Sequence, residues 1–423
     1  MKGPIPAGGP RRAIVLSHKT LVGYSRTERF ARTLRDAGWQ VTIAGLAGDG
    51  LPEREIVDGI ELIRAAPRGR LISFMHDRRG RLGRGLRRLH LPTPSAVAQV
   101  AAWPLAARAW ANGLHDLPPA DLYHACGLGA AVAAHQLASA ARRSGRRGAV
   151  LYDLIDIFLE ANRYPTLPGW RRSLYRRREA GLVHVADLLT TVNDALADDA
   201  VMRWRLAERP LVIFNAPARA ELPQGDTDLV RRAAGLPATT RVVAFLGRFV
   251  PGRGILEAGD AVMRVADAAF VAIGYGPLEG ELRARDAERP GRHVTLPAVP
   301  PTEVARWAAG ADATVFTSPD STLNLRLSTP NKLWESLAGG APVVYGAGLA
   351  GVDALLAPEG LGIAVAPDDP VAIAAALRTL LDAPPAERAA RRARARTLAA
   401  ERYAWDIRMP EYLALVDRRV PRS

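Results

Sequence analysis

Short apolar runs of strand type recur along the chain, and between them apolar residues return every three or four positions, the spacing of an amphipathic helix. Residues 13–17 (AIVLS) form the first such run. The turn HKTLVGYS follows, then a helical pattern over 26–37 that stops at Gly38, then a second run at 41–44. That order predicts a βαβ opening and a parallel sheet. The strand signal returns at 121–125, 149–154, 188–192 and 211–214. Residues 94–114 have helical spacing with a break expected at Pro104, because an internal proline removes a backbone donor and clashes with the preceding turn.

After Asn215 the texture changes to APARAELPQGDTD, rich in proline and polar residues and typical of a linker. A second series then begins, with apolar runs at 242–247, 269–274, 293–296, 313–317, 342–345 and 362–365. An Arg- and Ala-rich helix over 385–402 and a last amphipathic segment, ERYAWDIRMPEYLALVDR, follow it. The expected fold class is therefore α/β: two doubly wound parallel-sheet, Rossmann-like domains facing across a cleft, over residues 1–216 and 217–403. Ligands of such folds sit at the carboxyl ends of the strands.

The stretch LNLRLSTPNKLWESLAGGAPVVY, residues 323–345, carries the densest chemistry. Thr329 suits an N-cap and Pro330 the first helical position, while Gly339 and Gly340 end the helix. The unpaired N–H groups of a helix start favour an anion, and Ser328, Thr329 and Lys332 add hydroxyls and a charge. Glu335, one turn on, can accept hydrogen bonds from sugar hydroxyls. An anion beside a polyol describes a nucleotide sugar. A solvated Lys332–Glu335 pair on an ordinary helix is the alternative.

Composition sharpens this in one respect. Of 57 basic residues only Lys2, Lys19 and Lys332 are lysines, so a lysine at an anion site stands out. The 423 residues suffice for two or three domains, and 48% apolar with 24% charged residues is ordinary for a soluble globular chain. Cys126 is the only cysteine, which excludes an internal disulfide and fits a cytoplasmic setting. The amino-terminal residues lack a signal-peptide core, and no run reaches the length of a membrane span. A formal net charge of +14 raises nucleic acid as a partner. Much of the excess is local, however: residues 64–90 hold nine arginines against Asp77 alone, with no zinc-finger or RNP-type motif. Peripheral association with an anionic membrane through this basic region, on the inner face, is expected over nucleic acid; a solvated loop is the bland alternative.

Two further segments complete the donor side. The run VVAFLG continues into GRFVPGRG, where Gly247, Gly252 and Gly254 admit close backbone approach and Arg248 and Arg253 can bracket a diphosphate. No Gly-Lys-Ser/Thr follows, so this is not a Walker loop. Gly274-Tyr275-Gly276-Pro277 closes the next run with a partial GxG pattern.

In order, Gly247-Arg248, Arg253-Gly254, Gly274 to Leu278 and Pro330 to Glu335 make the second domain resemble the retaining GT-B glycosyltransferases of family 4, in the sub-group reading Ser-x-Pro-Asn-Lys-Leu-Phe/Trp-Glu. Arg26 before a helix, LYDLID, Glu179 before a helix, TVNDALAD and IFNAP fit the first domain, and RYAWDIRMPEYLALVD resembles the final helix that crosses back onto it, from 404 to 423. The resemblance implies transfer of a sugar from a nucleoside diphosphate donor to an acceptor hydroxyl, with retention. It implies an acceptor-binding first domain, a donor-binding second domain, and a saccharide, lipid-linked or small-molecule acceptor. Arg248 and Arg253 would neutralise the donor diphosphate and Glu335 would hold the ribose. Gly247, Gly276, Asn324, Ser328, Thr329 and Lys332 would complete the donor contacts. Leu327 stands where many relatives carry a sugar-facing glutamate.

In the first domain the family's Asp-x-x-His-x-His becomes Asp121-Leu122-Tyr123-His124-Ala125-Cys126. His124 is thus either a catalytic group or a core histidine. Asp153 and Asp156 replace an Asp-Ala-His-Glu segment, Asp156 as a catalytic candidate and Asp153 on the acceptor side with His18, Lys19 and Arg26. No His or carboxylate cluster with metal-ligand spacing is read from the sequence, so no cofactor is expected, only the sugar nucleotide as substrate. A GT-B epimerase or phosphorylase, or a basic nucleic-acid- or membrane-binding protein, are the competing readings.

Overall fold

The computed structural model describes residues 10–68, 95–161 and 167–421, and residues 95–102 by their backbone. Most of the basic region at 64–90 lies outside the described residues. The chain divides into two compact units. The first takes in the described residues of 1–191, 197–212 and 409–423, the second residues 192–196 and 213–408.

The first unit is built on an eight-stranded sheet. Its strands are β1 (Arg12–Ser17), β2 (Gln40–Leu46), β3 (Arg54–Val57), β4 (Ile60–Ala65), β5 (Leu122–Cys126), β6 (Ala149–Leu154), β7 (Leu188–Thr191) and β8 (Leu211–Val212). They lie in the order β3-β4-β2-β1-β5-β6-β7-β8, and every pairing is parallel except β3 with β4. β5 and β6 are buried along their whole length, as strands covered on both faces must be. The order reverses between β1 and β5, so the loops after these strands diverge at the carboxyl edge.

Two elements differ from expectation. The helix Ser95–Gly113 runs through Pro104 without a break. Trp103, Ala107, Trp110 and Ala111 on that helix are buried, and the indole N–H of Trp110 donates to the Gly45 carbonyl at 3.0 Å. An internal proline costs about 3 kcal/mol, and burying two tryptophans with their neighbours offsets it. The antiparallel pair β3–β4 has no counterpart in the apolar runs. Asp58 and Gly59 join these strands with φ of 50° and 72°, the two-residue turn that Asp-Gly forms most readily.

In the second unit six parallel strands, β9 (Arg241–Arg248), β10 (Ala268–Tyr275), β11 (His293–Pro297), β12 (Ala313–Phe316), β13 (Val343–Gly346) and β14 (Gly362–Val365), lie in the order β11-β10-β9-β12-β13-β14. Helices over Ile255–Val262 and Pro370–Leu381 cover one face with Val262, Ile373 and Leu377. The other face packs Ala308 and Ala311 against Val242, Ala244 and Val271. The order reverses between β9 and β12, which marks the crevice where this class of sheet takes its ligands.

Candidate donor site in the second unit

The carboxyl ends of β9 and β12 are locked together before any ligand is considered. Gly254 adopts a left-handed φ of 72°, and a Cβ there would lie 2.1 Å from Thr317 Oγ1 just after β12. The Thr317 hydroxyl donates to the Gly254 carbonyl at 3.3 Å. Only glycine permits this approach. Gly276, after β10, is equally constrained, since a Cβ would meet the Phe249 carbonyl oxygen at 2.4 Å. Backbone bonds from Phe249 N–H to Tyr275 O and from Leu278 N–H to Phe249 O lace these two loops. The sequence folds this way because glycines stand where backbone meets backbone.

The helix Asn331–Gly339 supplies the next component. Pro330 holds its N-cap position and Gly340 closes it in the left-handed region, with φ of 77°. Thr329 is therefore not the cap and Pro330 is not the first helical residue, which corrects the assignment by one place. Thr329 instead is buried and its Oγ1 accepts from Asn193 Nδ2 at 3.2 Å. The same amide donates to the Leu327 carbonyl at 2.8 Å, while Asn193 Oδ1 accepts from the Leu196 N–H. Asn193 thus fixes the segment leading into the helix. The motif TVNDALAD contains it, but nothing in its spacing announced the role. Asn324 is buried in the preceding short helix. Ser328 Oγ is buried with no hydrogen-bond partner among the described residues, a donor that a bound group could satisfy.

Lys332 lies at the centre. Its Nζ sits 3.7 Å from the centroid of the Phe245 ring, and its Cε is 3.9 Å from where a Cβ on Gly247 would be. Burial lowers its pKa to about 7; Arg253 lowers it further and Glu335 opposes the shift. Lysine that has given up hydration, with an arginine beside it, is short of negative charge, and an anion would supply it. Arg248 is exposed at the end of β9, its guanidinium 5.8 Å from the Tyr275 ring. Glu335 is half-buried one turn beyond Lys332. The second unit therefore brings together Gly247, Arg253, Lys332 and Glu335, with Ser328 and Thr329 at the adjoining helix start.

The first unit places its candidates differently. Arg26 and Asp153 form a buried bidentate pair, with Nε to Oδ2 and Nη2 to Oδ1 both at 2.7 Å. Thr190 Oγ1 donates to the same carboxylate at 2.7 Å. Burial alone would raise the Asp153 pKa, but Arg26 and Thr190 hold it below the usual range. These two residues, expected on the acceptor side, are consumed in tying β6 to the helix Ser25–Asp36. His124 is fully buried; its Nδ1 pairs with the Tyr412 hydroxyl at 2.9 Å and its ring lies 4.1 Å from Phe30. Burial takes its pKa down to about 4 and that of buried Cys126 up to about 12. The core-histidine alternative describes this position, because a side chain without exposure meets no substrate. His124, Cys126 and Asp153 are also the one group of three metal-ligating residue types found close together among the described residues, with ligand atoms within 4.8 Å. Arg26 already occupies both carboxylate oxygens, so the group does not fit a cation.

His18 is half-buried after β1, its ring 5.2 Å from that of Trp110 and packed against Gly129; burial lowers its pKa to about 4. Lys19 beside it is exposed, its Nζ 4.5 Å from the Tyr24 ring. Asp156 is exposed just beyond β6. Glu179, expected before a helix, lies inside the helix Gly169–Val185.

Residues 240–383, about a third of the chain, match the model of a family described as "Glycosyl transferases group 1". No curated protein matches the chain. Among solved structures, sucrose-phosphate synthase from Thermosynechococcus elongatus is similar at 16% identity and a TM-score of 0.72, over 98% of this chain and 100% of that one. HepE of Anabaena in complex with UDP-glucose is similar at 16% identity and a TM-score of 0.61, over 95% and 99%. The α,α-trehalose 6-phosphate synthase from Burkholderia multivorans follows at 16% and 0.62, over 97% and 98%. The fold is thus that of the GT-B glycosyltransferases, and the match to the group 1 glycosyltransferase model falls within the second unit.

Proposed function

We propose that this protein is a retaining glycosyltransferase that moves a sugar from a nucleoside diphosphate donor to an acceptor hydroxyl without a metal ion, in cytoplasmic synthesis of a polysaccharide or glycoconjugate. The observation that carries the reading is the seat of Lys332 over Phe245, between Gly247 and the helix start, with Arg253 and Glu335 close enough to shift its charge. Lys332 and Arg253 meet the diphosphate, Ser328 donates its unused hydroxyl, and Glu335 accepts from the ribose. Arg248, exposed beside Tyr275, closes on the leaving group. The bond from the anomeric carbon to the diphosphate oxygen breaks as the bond to the acceptor oxygen forms on the same face. The acceptor proton passes to a phosphate oxygen of the leaving group. Charge on the departing diphosphate grows in the transition state, where three cations stabilise it most. His18, Lys19 and Asp156 at the carboxyl edge of the first sheet serve the acceptor, since His124, Asp153 and Arg26 are engaged in the core.

UDP-glucose, which HepE holds, is the first donor to try. A thermal-shift comparison of UDP, GDP, dTDP and ADP sugars tests the reading, because a ligand of the native state raises its melting temperature by mass action. A stabilising donor that Glu335→Gln no longer recognises supports it. No stabilisation by any sugar nucleotide, or turnover of one with no acceptor present, would count against transfer.

A further inference from the structure

The helix Gly169–Val185 turns an unusual face outward. Trp170, Leu174 and Val185 are 66%, 41% and 60% exposed. Positions 170, 174, 181 and 185 fall within an arc of roughly 60° on an α-helix, and Gly181 opens the gap between the side chains. Arg177 and Arg178, both exposed, flank this stripe on either side. Neither takes part in a salt bridge or side-chain hydrogen bond among the described residues. Arg171 stacks on Trp170, its guanidinium 5.0 Å from the ring. The opposite face accounts for the remaining charge: Tyr175, Glu179 and Val183 are buried, and Arg172 and Arg176 both pair with Glu160. One helix thus divides its arginines into a set neutralised against the unit and a set left facing solvent beside an apolar stripe.

We propose that this outer face docks the protein on an anionic lipid surface, with Trp170 and Leu174 at the level of the headgroups and Arg171, Arg177 and Arg178 on lipid phosphates. An aliphatic and indole stripe lying along the helix and bordered by exposed arginines is the pattern of an interfacial helix. A nucleic acid would use the charges and leave Leu174 and Val185 in water. Trp170 suits the interface in particular, having an apolar body and a polar N–H. The helix is a different stretch of the sequence from the basic region at 64–90. It does not rest on the transfer reaction, since it involves no residue assigned to donor or acceptor.

The test is sedimentation of the full chain with vesicles of phosphatidylcholine alone or with 30 mol% phosphatidylglycerol. The expected result is binding to the anionic vesicles only. Arg177→Gln with Arg178→Gln weakens it about thirtyfold, from roughly 1 kcal/mol per basic residue at such a surface. Trp170→Ser with Leu174→Ser weakens it at least tenfold. Both double variants replace exposed side chains, and their thermal shift with a donor stays at the parent value, which separates loss of docking from loss of fold or of transfer. Equal binding of variants and parent would place any docking surface elsewhere. Binding to neither vesicle, or the same variant dependence seen only with an RNA oligonucleotide or polyglutamate, would overturn the lipid assignment.

Discussion

Binding of a sugar nucleotide should be strongly pH-dependent around neutrality, and Lys332 is the reason. Its pKa of about 7 in the free protein means that it is largely neutral at pH 8.5 and largely charged at pH 6.5. A diphosphate placed beside Nζ favours the ammonium form and raises the pKa of the complex. If that value exceeds about 9, linkage makes the donor roughly 25-fold weaker at pH 8.5 than at 6.5. The sign is fixed: the free protein must take up the proton that the complex holds. The diphosphate diester of a sugar nucleotide has no pKa in this interval, so the ligand does not contribute. Isothermal titration at pH 8 in two buffers of different ionisation enthalpy should report uptake of about nine-tenths of a proton per donor bound. Lys332→Met should remove the proton uptake and flatten the profile. It should also weaken binding at pH 6.5 by about 1.5 to 3 kcal/mol, the range for a hydrogen bond to a charged group, while approaching the parent at pH 8.5. Donor binding that is flat with pH in the parent, or equally steep in the methionine variant, refutes the assignment of Lys332 to the diphosphate.

Other positions give sharper tests of the frame around the site. Asp153→Asn should destabilise the first unit by about 3 to 5 kcal/mol, because Arg26 is left buried and uncompensated; urea unfolding followed by circular dichroism measures it. Glu179 is buried and its pKa is raised to about 7, chiefly by desolvation, so its ionisation opposes folding above that pH. Stability should therefore fall as pH rises from about 4.5 to 7, and Glu179→Gln should stabilise by up to about 3 kcal/mol at pH 8 but hardly at pH 4.5; melts at the two pH values decide. Glu335→Gln should cut donor affinity at least tenfold and leave the melting temperature of the free protein within a degree or two, read from titration and melts of the two forms.

The parallel sheets were legible because their strands are buried on both faces and so read as unbroken apolar runs, as in LYHAC and AVLYDL. The β3–β4 hairpin escaped the same reading for the opposite reason. REIV and IELIRA alternate with charges, and the signal lay in Asp58-Gly59 rather than in hydrophobicity. Pro104 was misleading because a local rule about proline says nothing of what Trp103 and Trp110 gain by burial. Among the candidate donor residues, Lys332 and Glu335 could be found because helix spacing puts them on one face. The support from Asn193 joins positions more than a hundred residues apart, and no local pattern encodes it. Arg26, His124 and Asp153 were noticed for their chemistry, yet a charged or aromatic residue in a motif does not reveal whether its partner is a ligand or the interior. Only the 2.7 Å geometry of the ion pair and the Tyr412 hydroxyl on His124 make that distinction.

Tyr412 itself has a consequence for how the chain must be made. It is fully buried against Phe30 and His124, and Asp417 pairs with Arg11 nearby, so the first unit takes part of its interior from residues 409–420, which follow the second unit in the chain. Between Val212 and Met409 the ribosome builds nearly all of the second unit, which at 5 to 20 residues per second takes roughly 10 to 40 s. Throughout that interval the nascent first unit carries an open slot lined by Phe30 and the imidazole of His124, a natural point for a chaperone to engage. A fragment ending at residue 212 would keep the slot permanently. Dissecting the protein into separately expressed halves therefore requires grafting the terminal helix back by a linker, and premature termination near residue 408 should leave a second unit that folds beside a first that does not.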